Sequence, residues 1–179
     1  KVQFVGSGTT AKKVLQTASH TLKPCGLELG GKSAVIVFAD ADLAQAGRRG
    51  LSGAISVSGQ GCVNGTRLLV ERSIYEQYLG ILQTIAGYIP VGDPLDPATV
   101  MGPLISAASL QRILGAIEQA SADGARLVFG GQRLDGACAD GFFLPITLFA
   151  DVDHGSALAQ QEVFGPVLTL QSFRTEDEA

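Results

Sequence analysis

Ser58-Gly59-Gln60-Gly61-Cys62-Val63-Asn64-Gly65-Thr66-Arg67 is a run of small and polar residues gathered around one cysteine. Before it, Asp40 or Asp42 caps a helical pattern that reaches to about Ser56. After it, Arg67 to Glu71 reads as a strand. Helix, loop and strand in this order are the repeating unit of an α/β protein, and the loop between them carries the residue best suited to chemistry. A structural cysteine wants apolar neighbours and needs no glycines. A nucleophilic one needs room for a substrate, partial exposure, and backbone N–H groups aimed at the reacting atom.

The same alternation extends both ways. Val2 to Val5 is a short strand, and a helix follows from about Thr10 to Ser19. Gly26 to Phe38 is strand-like, and Ala34-Val35-Ile36-Val37-Phe38 reads as fully buried. Ser73 to about Tyr88 is an amphipathic helix, and Pro90 to Pro97 is a connector rich in proline. Ser106 to Ala122 is helix, Arg126 to Phe129 strand, and Gly130 to Gly141 a polar loop. Phe142 to Phe149 holds a strand interrupted by Pro145, and Val167 to Phe173 is the last strand. The expected fold is a three-layer α/β domain with a mainly parallel sheet.

Composition limits the partners. The 179 residues are 46% hydrophobic and 17% charged, enough for a substantial core. A net charge of −4, no basic run and no tryptophan argue against a nucleic-acid or anionic-membrane surface. No apolar stretch is long enough to span a membrane, and no signal peptide opens the chain. Cys25, Cys62 and Cys138 form no CxxC pair, which suggests a reducing, cytoplasmic setting. With His20 and His154 they show no ligand spacing, so no metal is expected.

Three further runs stand out. Leu27-Glu28-Leu29-Gly30-Gly31-Lys32-Ser33 places a carboxylate in an apolar segment before a diglycine, a setting suited to a general base. Gln161-Glu162-Val163-Phe164-Gly165-Pro166-Val167 lies near the end of the chain. Gly6-Ser7-Gly8-Thr9-Thr10-Ala11 opens a helix, where free N–H groups can hold phosphate. Gly6-x-Gly8-x-x-Ala11 also fits the short dinucleotide fingerprint, with Glu28 near the place of its ribose-binding acid. The diglycine after Glu28 and the Cys62 run favour the other role for that residue.

In order and spacing these runs resemble the catalytic half of the NAD(P)-dependent aldehyde dehydrogenase superfamily over nearly the whole chain. The resemblance rests on Gly59, Gln60, Cys62 and Arg67, with Asn64 standing where many members carry alanine. It implies an aldehyde dehydrogenase catalytic-domain-like fold and oxidation of a small-molecule aldehyde to a carboxylate with NAD or NADP. Cys62 would form a thiohemiacetal and then a thioester, and Glu28 would activate the hydrolytic water. Members that pass the acyl group to coenzyme A usually lack this glutamate. Glu162 would receive the nicotinamide ribose hydroxyls, Phe164 would pack near the nicotinamide, and Gly6 and Ser7 would contact the pyrophosphate. Lys32 is expected in a structural ion pair.

The resemblance also places the family's oxyanion asparagine outside this chain, and it implies a homo-oligomer for the full-length protein. Thr175 and Glu178 make a capping box with no helix after it, so the chain reads as a domain cut from a longer protein. Residues 1–25 would be the last strand–helix unit of the cofactor domain and residues 26–179 the catalytic domain. Two rivals are a cysteine hydrolase or acyltransferase that pairs Cys62 with His154 or His20, and a non-catalytic assembly module of the same fold.

Overall fold

A computed structural model describes residues 1–179. The chain divides into two compact units, Lys1–Gly31 and Lys32–Ala179.

The first unit is a single βαβ turn. β1 (Val2–Gly6) leads into α1 (Gly8–Ser19), and β2 (Cys25–Leu29) returns parallel to β1. Ser7 caps α1 by accepting from the Thr10 N–H at 3.4 Å. The expected continuous strand from Gly26 to Phe38 is two strands in different sheets, because Gly30 to Ser33 leave the first sheet before the second begins. β2 pairs along its whole length with β1, and the first compact unit closes at Gly31. Glu28 is exposed, not set in apolar surroundings. A unit of this size has too little chain to cover both faces of its own sheet.

The second unit has the expected three layers. Its sheet runs β3 (Ala34–Val37), β4 (Arg67–Glu71), β7 (Val167–Phe173), β6 (Thr147–Ala150) and β5 (Arg126–Phe129). All neighbours are parallel except β5, which is antiparallel to β6. α2 (Leu43–Ile55) and α3 (Tyr75–Gly87) cover one face through Leu51, Ile55, Tyr78 and Leu82. α4 (Ala107–Ala122) and the single turn α5 (Ala157–Gln160) cover the other through Ile113, Ile117 and Leu158.

Asp42 caps α2, accepting from the Gln45 N–H at 3.0 Å. β3 is not fully buried. It is an edge strand with one covered face, so Val37 is 3% exposed and Ile36 45%. The strand after Pro145 is confined to Thr147–Ala150. At the end of the chain the Thr175 hydroxyl accepts from Glu178 N–H, but the Glu178 carboxylate receives the N–H of Arg174, one residue earlier than a capping box requires. No helix in the chain is long and apolar enough to cross a membrane.

Tyr75 ties the second sheet to its loops. Its hydroxyl donates to the Leu170 carbonyl at 3.2 Å and accepts the Asp151 N–H at 2.9 Å. Burial is the main reason its pKa is pushed up to about 12. Tyr75→Phe strands the Asp151 N–H and leaves the Leu170 carbonyl only the longer bond from Val152 N–H, a loss of ~1–3 kcal/mol. Chemical denaturation should show that loss as a lower midpoint with an unchanged slope.

Candidate active site

The Cys62 run leaves α2 through backbone that side chains rarely adopt. Val57 has φ 53° and Ser58 φ 54°, both left-handed, and Gly59 follows at 74°. Two such residues cost of order 1–3 kcal/mol each, so something must hold them. Three ties do. Ser58 Oγ donates to the Gly102 carbonyl at 3.0 Å. Gln60 Oε1 accepts the Ile105 N–H at 3.0 Å. Asn64 Nδ2 donates to the Ser56 carbonyl at 2.9 Å and to the Ala54 carbonyl at 3.3 Å, satisfying the end of α2.

Asn64 is therefore a buried cap, 7% exposed, that folds the loop back onto the helix. Its role was invisible in the sequence, because the carbonyls it satisfies are orphaned only once α2 has ended. Within this frame Cys62 is exposed, and its own N–H donates to no backbone carbonyl in the chain. An exposed thiol with a free N–H beside it can attack a carbonyl carbon and receive the oxygen's developing charge.

The third run lies against this loop. A Cβ built on Gly59 would stand 2.2 Å from the Gly165 carbonyl carbon and 2.4 Å from Pro166 N, so the two backbones touch where only glycine fits. Phe164 takes φ 53° and leaves its ring 39% exposed. The Arg112 guanidinium holds the turn from α4 by donating to the carbonyls of Val163 and Phe164. Arg112 and Glu162 also line a cleft of about 270 Å³ with Gln161 and Val163. Glu162 is half-buried and makes no ion pair. Sequence reading missed Arg112, since one basic residue on an amphipathic helix carries no signal of what it straps.

Lys32 departs from expectation. It makes no ion pair, and Arg126 with Asp151 at 2.6 Å is the chain's one salt bridge. The structure thus brings Cys62, Glu162 and Phe164 into one unit. Gly6, Ser7 and Glu28 gather in the other, at the C-terminal ends of two parallel strands, with Val5 in register with Glu28 and Gly6 with Leu29. No three His, Cys, Asp or Glu side chains cluster to hold a metal, and all three cysteines are free.

His154 is poorly placed for the hydrolase alternative. Its Nδ1 pairs with Gln171 Nε2 at 3.1 Å, towards the C-terminal end of β7. The Cys62 loop packs beside Gly165 at the N-terminal end, roughly 20 Å away at about 3.3 Å per residue.

A family model described as "Aldehyde dehydrogenase family" matches residues 1–179. Betaine aldehyde dehydrogenase of Cereibacter sphaeroides (strain ATCC 17025 / ATH 2.4.3) is 45% identical over 178 residues, covering 99% of this chain and 36% of the relative. Betaine aldehyde dehydrogenase 1 of Rhizobium meliloti is 43% identical, covering 99% and 37%. Among solved structures, betaine aldehyde dehydrogenase from Staphylococcus aureus in complex with NAD+ superposes with a TM-score of 0.97 at 36% identity, over 99% of this chain and 36% of that one. Mycobacterium tuberculosis aldehyde dehydrogenase complexed with NAD+ gives 0.95 at 44% identity, over 98% and 36%. The Staphylococcus protein is described with one cysteine that is free of BME in one structure and modified by it in another. The chain spans about a third of the length of the relatives it matches.

Asn64→Ala removes both bonds to the end of α2 and leaves buried carbonyls unmet, at ~1–3 kcal/mol. Hydrogen exchange should then quicken across residues 56–66 while the strands keep their protection.

Proposed function

The chain belongs to the aldehyde dehydrogenase family, and from that premise we propose that it is the nucleophile-bearing part of an enzyme that oxidises an aldehyde to a carboxylate with NAD or NADP. The observation that carries this reading is the backbone contact of Gly59 with Gly165 and Pro166, which sets the exposed Cys62 loop against the Glu162–Phe164 turn.

The residues present fit a dinucleotide. A carboxylate without an ion-pair partner can accept both hydroxyls of a ribose. An exposed ring stands beside it, and in the other unit Ser7 opens a helix of 12 residues whose N-terminus suits phosphate. The bound cofactor supplies the two-electron acceptor.

The Cys62 thiolate forms the S–C bond to the aldehyde carbon, and the oxygen takes the displaced pair as an alkoxide. The Cys62 N–H faces that oxygen, together with a donor that the family resemblance places outside this chain. Collapse of the alkoxide expels hydride with its bonding pair and leaves a thioester on Cys62. Glu28 then takes a proton from water, hydroxide adds to the thioester carbon, and the C–S bond breaks to return the thiolate and release the carboxylate. Betaine aldehyde, named for the relatives, is the first substrate to assay.

Glu28→Gln in the complete enzyme should separate the two halves of the reaction. Attack and hydride loss proceed from a preformed thiolate, whereas hydrolysis needs the base, whose removal costs about 10²–10⁴-fold. Stopped-flow absorbance should show one equivalent of reduced cofactor in a burst and then very slow turnover. Equal slowing of both phases would place Glu28 in the activation of Cys62. An unchanged steady state would return Glu28 to the ribose-binding reading that the glycine pattern before it allows.

A further inference from the structure

Cys62 has no anchor of its own. Its N–H bonds to no backbone carbonyl and its thiol is free, so its direction is inherited from the residues around it. The Gly61 carbonyl accepts the Asn64 N–H at 3.2 Å, which makes Cys62 and Val63 the corner residues of a tight turn. In such a turn the cross-bond runs from the fourth residue to the first, and the N–H of the second is left free. Val63, at the other corner, is 82% exposed.

Both shoulders of this turn are amide side chains. Asn64 fastens one shoulder to the end of α2. Gln60 fastens the other, in a different way. Its Nε2 donates to the Val57 carbonyl at 3.3 Å, and its Oε1 accepts the Ile105 N–H at 3.0 Å. One partner can only accept and the other can only donate, so a single orientation of the amide serves both. The Val57 carbonyl also accepts the backbone N–H of Gln60 at 3.0 Å, and is thus held twice by one residue.

Val57 is a strained point of the loop. A β-branched residue at positive φ is a genuine outlier, and it persists only where its surroundings over-determine it. The Gln60 amide ties this residue to Ile105, which directly precedes the Ser106 cap of α4. From α4 in turn, Arg112 holds the carbonyls of Val163 and Phe164, and Ile113 packs over Gly165. The start of α4 is therefore a common reference for the Cys62 turn and the Glu162–Pro166 turn.

We propose that Gln60 is a positioning residue for Cys62, because its amide registers the Cys62 turn against the start of α4 and so fixes where the Cys62 N–H points. The inference rests on the reading of Cys62 as nucleophile given under the proposed function. In that reading the N–H must face the oxygen that becomes an alkoxide. Exposure of the thiol imposes no such condition. A displacement of about 1 Å at a reacting group costs on the order of 10²-fold in rate.

The test uses the complete enzyme with Gln60→Met, which keeps the length and removes both bonds, and Gln60→Glu, which keeps an oxygen for the Ile105 N–H. Stopped-flow absorbance gives the rate and amplitude of the first burst of reduced cofactor, and iodoacetamide gives the rate of Cys62 alkylation. Each variant is compared at the top of its own pH profile, so that the charge added by Gln60→Glu is not counted as lost positioning. Alkylation displaces iodide and builds no charge on an oxygen, so it does not use the Cys62 N–H. Gln60→Met should slow the burst on the order of 10²-fold, with alkylation, burst amplitude and KM for the cofactor at wild-type values. Gln60→Glu should recover most of the burst rate.

A normal burst rate in Gln60→Met would overturn the proposal. So would alkylation slowed in step with the burst, which marks an altered thiol and not a turned N–H. A smaller burst at the normal rate would mark a misfolded fraction and leave Gln60 as structural only. Failure of Gln60→Glu to recover the rate would exclude the Ile105 bond as the agent. A burst that survives Cys62→Ala would instead remove the nucleophile reading on which the proposal stands.

Discussion

β7 closes the chain's order but lies in the middle of its sheet, between β4 and β6, and the site in the second unit depends on that insertion. Arg67 pairs with Thr169 and Glu71 with Phe173, so the segment just before β4 and the segment just before β7 must emerge side by side at the same end of the sheet. The first segment is the Cys62 loop and the second is the Glu162–Pro166 turn. Parallel pairing alone would leave two loops standing at ordinary distance. Gly59 and Gly165 remove the side chains that would keep them there, and Ile113 packs over Gly165 from the other side. The Cys62 loop and the Glu162–Pro166 turn are thus neighbours through backbone contact, which tolerates little drift.

The costs in this region fall on the same few residues. Val57 and Ser58 hold left-handed backbone, Phe164 does the same across the contact, and Lys32 keeps a charge where none is solvated. Strain of this kind persists only where surrounding bonds over-determine it, and it concentrates at working parts of proteins. Asn64, Ser58, Gln60 and Arg112 supply those bonds. Elsewhere the second unit obeys the ordinary rules: Asp42 and Ser106 cap their helices, and apolar faces meet in two cores.

Helix starts and the strand–helix alternation were legible because they depend on a few neighbouring residues, as Asp42 and the Val167–Phe173 run illustrate. What failed was burial and membership. Ala34 to Val37 has the composition of a central strand, but burial is set by the order of strands in the sheet, which local sequence does not contain. Gly30 and Gly31 looked like a feature of one strand and instead separate two sheets. At the site, the cysteine and its glycines announced themselves, while Asn64 and Arg112 did not. Both act on backbone carbonyls, and any hydrogen-bonding side chain could do so from many sequence positions.

The two margins of the larger sheet are unlike. β5 is short, its register shifts between Leu127 and Phe129, and Arg126 binds Asp151 across it, all features that discourage another strand from adding there. β3 is equally short but has neither the register shift nor the charge. Its Ala-Val-Ile-Val backbone is regular and uncharged, and one row of N–H and C=O groups faces outward with Ile36 uncovered beside it. A strand-like segment can extend the sheet at that margin through main-chain bonds without any matching of side chains. Self-association in concentrated solution has its natural starting point there, and a single lysine at Ala34 or Ile36 would close it.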